Sequence, residues 1–366
     1  MTATSANPSL VRHHRDDVKL FRSIEAKLAM GALAAIVMIA PFHLTAFQTS
    51  VGVFAGVAAI GALGLNLLTG FTGQVSLGHA AFLGIGAYTG AYVGGEMGLP
   101  FVVWIIAAGL AGALVGGAIG PFALRLRGSY LAIITLGLVF LAVHVFENWT
   151  SVTGGLNGRS VTAPVAIGPI DFANLSVLGR DLTRDHGYFL LVWGMVALAA
   201  LAAKNIARSR PGRAMQAVRD RDLAAEAVGV NLARTKVMAF VLSSALAAVA
   251  GSLSASYNRF VSPSEFTLVL SIIYVAIIVV GGVGTTFGPI LGAIFITAIP
   301  RVIETYSDIL PFVKTDSGSG GIITVFSLNQ AIFGLLIIVF LVFEPRGLAA
   351  IWLRLRAYFR SWPFSY

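Results

Sequence analysis

The 366-residue chain is 57% hydrophobic and only 11% charged, carries 41 glycines, and has a mean hydropathy of +0.85. A soluble domain of that composition would leave too much apolar surface in water, so the chain reads as an all-α membrane protein built from spans of about 20 apolar residues. It has no cysteine, which excludes disulfides, thiolate metal sites and a cysteine nucleophile, and its net charge is +9.

Residues 1–27 are polar and basic and read as a cytoplasmic tail. The apolar run Leu28–Phe47 follows without a small-residue cleavage site, as expected of a retained first span rather than a removed signal peptide. Ten spans are predicted, at about 28–47, 51–70, 78–96, 101–124, 129–147, 187–206, 236–256, 267–284, 287–303 and 328–345. They must be helical, because unpaired backbone groups cannot face lipid. The expected organisation is a transmembrane domain over 28–347, with an outer loop at 148–186, an inner loop at 207–235, and a C-terminal tail from 348 to 366. With the N-terminus inside, nineteen of the 25 Lys and Arg fall on inner segments, and only Arg159, Arg180, Arg184, Arg259, Arg301 and Lys314 lie outside. The positive-inside rule therefore puts both termini in the cytoplasm, and it accounts for the net charge without a nucleic-acid partner.

Two stretches break the apolar pattern. In "TGFTGQVSLGHAAFLG", Gln74, Ser76 and His79 stand among the glycines at 70, 73 and 78, inside an otherwise lipid-compatible run. The second is "VGGVGTTFGPILGA", with Gly282 and Gly284, between spans eight and nine. Glycine permits turns and close helix contact, and a broken helix at membrane depth is tolerated only inside protein or along a water-filled path. Two readings fit Gln74, Ser76, Gly78 and His79, namely helix packing and a translocation route. Six spans separate the two breaks, so both should enter from the same side, which argues against a simple inverted repeat.

The outer loop is rich in Gly, Ser, Thr, Asn and Pro and reads as an ordered surface rather than a domain. In the inner loop, Pro211 and Gly212 are expected to end the sixth span. Asp220 or Asp222 would then cap a short helix, "LAAEAVG", which stops at Gly229, and Asn231 restarts the chain. Leu223, Ala224, Ala227 and Val228 would form one small apolar face, suited either to a groove on another protein or to the inner leaflet. Arg125 and Arg127, at an inner turn, fit lipid phosphates or a partner. Glu344, Pro345 and Arg346 mark the inner end of the last span.

Absences narrow the chemistry. No acid is central in a span, which disfavours proton coupling. There is no Walker A loop, no HExxH or other metal cluster, and no nucleophile elbow, so neither a cofactor, a metal nor an intrinsic enzyme is expected.

The strings "GLNLLTGFTGQVSLGHAAFLGIGAYTGAY", "LRLRGSYLAIITLG", "NWTSVTGGLNG", "GRAMQAVRDRDLAAEAVGVN", "GGVGTTFGPILGA" and "EPRGLAAIW" run in order from about Gly61 to Trp352. Through them the chain closely resembles the longer of the two paired permeases of bacterial branched-chain amino acid ABC importers. The resemblance implies a helical bundle like that of ribose-type importer permeases. It also implies a second permease, two ATP-binding subunits and a periplasmic solute-binding protein as partners in the inner membrane. It marks "DLAAEAVG", with Asp222, Ala224, Ala225, Glu226 and Gly229, as the coupling helix that docks on an ATP-binding subunit. Related permeases also serve urea, short amides and aromatic acids, and a self-sufficient secondary carrier is the alternative class.

Overall fold

A computed structural model describes residues 24–124, 129–177, 180–306, 313–314, 323–344 and 347–361. In chain order, the first helices are α1 (Ile24–Ile39), α2 (Ala46–Leu65), α3 (His79–Gly90), α4 (Phe101–Leu124), α5 (Ser129–Asn148) and the single turn α6 (Thr150–Thr153). They are followed by α7 (Arg184–Arg208), α8 (Arg210–Asp220), α9 (Asp222–Ala227) and α10 (Leu232–Asn258). The last four are α11 (Leu268–Gly281), α12 (Gly288–Tyr306), α13 (Val325–Phe343) and α14 (Gly347–Ser361). A helix coincides with each of the ten expected spans. Five helical stretches are long and apolar enough to cross a bilayer unaided, namely Ala46–Gly70, Phe101–Phe122, Tyr130–Asn148, Arg184–Arg208 and Leu232–Asn258. This is an all-α membrane bundle. The only strands among the described residues are two-residue ladders in the connections.

Composition explains the packing. Lipid tails are as apolar as leucine, so membrane helices associate by close van der Waals fit, for which small residues are best. α10 runs through the centre against α2, α3 and α4. Where α3 crosses it, a methyl on Gly86 would lie 1.9 Å from the Ala248 carbonyl oxygen, and one on Gly251 would lie 1.9 Å from that of Leu83. Neither position has room for a side chain. Serines on α10 satisfy themselves inside this dry interface, as when the Ser244 hydroxyl donates to the Phe240 carbonyl at 2.7 Å. The lipid-compatible outside carries large apolar side chains instead, such as Leu114, Phe140 and Leu198.

The long loop between α6 and α7 is held down at several points. The Trp104 indole N–H donates to the Pro164 carbonyl at 3.0 Å, Arg159 pairs with Glu96 at 2.5 Å, and Arg159–Ser160 forms an antiparallel ladder with Phe260–Val261. The ordered surface expected there is present. At the other end, the chain departs from expectation in two ways. The break after α7 falls at Ser209, and Pro211 sits in the first turn of a further amphipathic helix, α8, where proline's missing N–H does no harm. The C-terminal tail is helical through Ser361, and Glu344 pairs with Arg354. The tail before Ile24, together with Arg125, Arg127, Pro345 and Arg346, lies outside the described residues.

Candidate functional site

The first break is a re-entrant segment. α2 ends in a π-helical turn, Asn66–Gly70, and Gly73 turns the chain with φ +70°. The backbone then runs without helical bonds to Gly78, where α3 begins. Three contacts fix its depth. The His79 Nε2 lies 2.9 Å from the Gly61 carbonyl oxygen, the Ala80 N–H donates to the Ser271 hydroxyl at 2.9 Å, and the Leu77 N–H donates to the Thr135 hydroxyl at 3.0 Å. Gly61 is nine residues above Gly70, so at 1.5 Å per residue the start of α3 sits roughly 13 Å inside the bundle. Thr135, six residues into α5, gives a concordant depth of roughly 9 Å for Leu77.

Burial alternates along this non-helical segment. Gln74, Ser76 and Gly78 point inward and are buried, whereas Gly73 and Val75 are exposed and Leu77 is half-buried. The inward residues hold the segment: the Ser76 hydroxyl accepts from the Gly78 N–H at 3.2 Å, and His79 packs against the Tyr274 ring at 5.0 Å. A methyl on Gly78 would stand 2.9 Å from the Thr135 carbonyl oxygen. Gln74 is the exception, since neither amide atom has a partner although the side chain is 7% exposed. The packing reading therefore describes the contacts of Ser76, Gly78 and His79, and the open face of the segment carries Val75.

The second break lies beside the first. α11 is 14 residues long, about 21 Å, too short for a hydrocarbon core of about 30 Å. It stops at Gly282 (φ +120°) and Gly284 (φ +79°), backbone that a side chain would strain. Asn66, within an apolar run, clamps the two breaks together. Its Nδ2 donates to the Thr285 carbonyl at 2.8 Å, and its Oδ1 accepts from the Gly284 N–H at 2.8 Å. A methyl on Gly70 would lie 2.7 Å from the Gly284 nitrogen, so the two chains touch through bare backbone. Both breaks thus meet at one end of the bundle, as the even number of intervening spans requires.

The α8–α9 unit covers that end. Met215 and Val218 of α8 are buried, and the Gln216 side chain donates to the Ala207 carbonyl at 3.1 Å. A single residue, Arg221, separates α8 from α9, and it caps α9 without a side-chain hydrogen bond. The expected aspartate cap is therefore corrected: Asp222 pairs with Lys236 at 2.6 Å and ties α9 to the base of α10. Gly229, at φ +86°, ends the turn as expected, and the Asn231 side chain caps α10 by accepting from the Arg234 N–H at 2.9 Å. Leu223, Ala224, Glu226, Ala227 and Val228 face outward, with Leu223 70% and Val228 80% exposed. Ala225 faces inward at 3% exposure and seats the helix on its own chain.

Two residues that join these parts were not singled out in the sequence. Asn66 had a legible signal, an amide in an apolar run. Arg219 had none, being one of eight basic residues in its inner segment. Its Nη1 donates to the Gly70 carbonyl at 2.8 Å, and its guanidinium lies against Gly284, where a methyl would be 2.4 Å from Nη1. Among the described residues, no group of three or more His, Asp or Glu side chains is placed to hold a metal ion.

A model of the branched-chain amino acid transport system permease component matches residues 47–341. The high-affinity branched-chain amino acid transport system permease protein LivM of Salmonella typhimurium is 31% identical over 299 residues, covering 78% of this chain and 70% of its own. The high-affinity branched-chain amino acid transport system permease protein LivH of the same organism is 26% identical, covering 68% of this chain and 82% of its own. The autoinducer 2 import system permease protein LsrC of an Enterobacter species is 29% identical, covering 78% and 71%. No solved structure matches the chain. The multi-pass helical bundle, its paired breaks and these matches agree: the chain belongs to the family of permease components of branched-chain amino acid transport systems.

Proposed function

We propose that the chain is one of two different permease subunits of an ABC importer in the bacterial inner membrane, with both termini cytoplasmic. With the second permease it forms the passage for branched-chain amino acids, which a periplasmic binding protein delivers to the outer loop. Two separate ATP-binding subunits supply the driving force, and this chain carries out no catalysis. The occurrence of LivM and LivH, two distinct permease proteins, in one organism supports the pairing. The two breaks form the passage wall. Gln74, Ser76, Gly78 and His79 build the first and Gly282 and Gly284 the second. Val75 is the side chain presented to the passage, since non-helical backbone at this depth must face protein or water rather than lipid.

The observation that carries this reading is the outward face of α9. A one-and-a-half-turn helix is fixed by the Asp222–Lys236 pair and the seat of Ala225, yet it leaves Leu223, Ala224, Glu226 and Val228 exposed among the described residues. Small residues beside two exposed aliphatic ones suit a groove on an ATP-binding subunit, and Gly229 sets the angle at which the helix is offered. Ala224→Arg and Glu226→Lys should leave the chain folded and membrane-inserted while abolishing co-purification of the ATP-binding subunits. Normal co-purification and uptake in both variants would instead assign this face to the lipid surface.

A further inference from the structure

Docking on α9 can drive transport only if its movement reaches the passage, and Arg219, beside α9, touches both breaks directly. Arg219 is the penultimate residue of α8, three residues before α9 begins. It touches both breaks at the point where they meet. The Nη1 donates to the Gly70 carbonyl at the end of α2, at 2.8 Å. The same nitrogen lies where a methyl on Gly284 would be, in the second break. The Arg219 Cα, Cβ and Cγ pack along Gly73, at the turn of the first break, 3.4–3.7 Å from where its methyl would stand. Glycine at 284 leaves the guanidinium its space.

The chemistry suits a reversible latch. At the end of α2 the Gly70 carbonyl accepts from Arg219 at the negative end of the helix dipole, and a guanidinium is the side chain that complements such an oxygen at a fixed angle. The two breaks are already clamped to each other by Asn66, so a pull on either moves both. α8 and α9 share one connecting residue, with the Arg221 N–H donating to the Ala217 carbonyl at 3.1 Å and the Ala225 N–H donating to the Arg221 carbonyl at 3.0 Å. A displacement of α9 therefore carries the end of α8 with it. The unpaired, buried amide of Gln74, in the segment Arg219 holds, marks a place where this arrangement leaves hydrogen bonds unmade.

We infer that Arg219 is the positioning residue that transmits movement of the coupling helix to both glycine breaks, keeping them together in this conformation and releasing them when α9 is drawn away. The inference rests on the permease reading above.

The test uses the full transporter in proteoliposomes, this chain with its second permease, ATP-binding subunits and binding protein, and measures leucine uptake and ATP hydrolysis together. Arg219→Met keeps the length of the side chain and removes its donors. It should leave co-purification and hydrolysis in place and lower solute moved per ATP by about tenfold or more, the shift expected when one charge-assisted hydrogen bond is lost from a two-state element. Arg219→Lys, which keeps the charge but not the fork, should fall between. A wild-type ratio in Arg219→Met overturns the inference. So does a parallel loss of uptake, hydrolysis and co-purification that Arg219→Lys fully restores, since that marks a purely structural contact. Should Arg219→Met fail to assemble, Arg219→Lys decides alone: a ratio lowered several-fold supports transmission and an unchanged one refutes it. Absence of ATP-dependent uptake by the wild-type assembly would instead sink the permease reading, and the inference with it.

Discussion

Replacing Asn66 with leucine tests the clamp between the breaks. The two side chains share the number and branching of their heavy atoms, so the skeleton is kept and what is lost is hydrogen bonding. Asn66 is 1% exposed and holds two backbone groups, the Thr285 carbonyl and the Gly284 N–H, each at 2.8 Å. An unsatisfied buried backbone group costs about 1–3 kcal/mol. The two partners are only part-buried, so water recovers some of this, and the lower half of the range applies, about 2–4 kcal/mol in total. Taking about 2 °C per kcal/mol, the low end for long chains, the melting temperature should fall by roughly 4–8 °C. Thermal melting of the purified chain in detergent, followed by the loss of its size-exclusion peak, measures the shift. The control is Ser50→Ala, whose hydroxyl bonds only the exposed Phe47 carbonyl. If Asn66→Leu melts within about 1 °C of that control, the breaks are not held together by this amide and the clamp is wrong.

Further outcomes follow from the same geometry. Ala225→Arg should lower the melting temperature and spoil the loop itself, because Ala225 is buried in its own chain, whereas Ala224→Arg at the next position should leave melting unchanged; equal melting of the two would contradict the seating of α9. Cysteine labelling is clean because the chain has no native cysteine. In the assembled transporter, a charged water-soluble thiol reagent should modify Val75→Cys in at least one nucleotide state and spare Ser76→Cys and His79→Cys, and labelling of the latter pair alone would reverse the assigned faces.

Much of this fold was legible because lipid is an exacting solvent. Apolar runs had to be helices, and the ten predicted stretches are helices. The breaks were legible for the same reason, since Gln74, Ser76 and His79 have no place in lipid. Which way those residues face was not legible. A helical run would group them by a period of 3.6, whereas the segment is non-helical and its burial alternates from Gly73 to Gly78, turning Val75 outward. α8 was missed because Pro211-Gly212 was read as a stop, although proline in a first turn is equally a start, and Met215 and Val218 three residues apart were the available sign. The inward face of Ala225 could not be phased from a helix of six residues. Nothing in the sequence distinguishes Arg219 from the other basic residues of that inner segment, all of which fit the positive-inside rule equally well.

The central claim is that this chain is a passage without a motor of its own, worked through α9 by ATP-binding subunits. The most direct measurement is leucine uptake into proteoliposomes, with the purified chain alone and with the complete set of second permease, ATP-binding subunits and binding protein. The account predicts uptake only in the complete set, dependent on ATP and abolished by Ala224→Arg. Uptake by the chain alone, without nucleotide, would contradict it and make the protein a self-sufficient carrier.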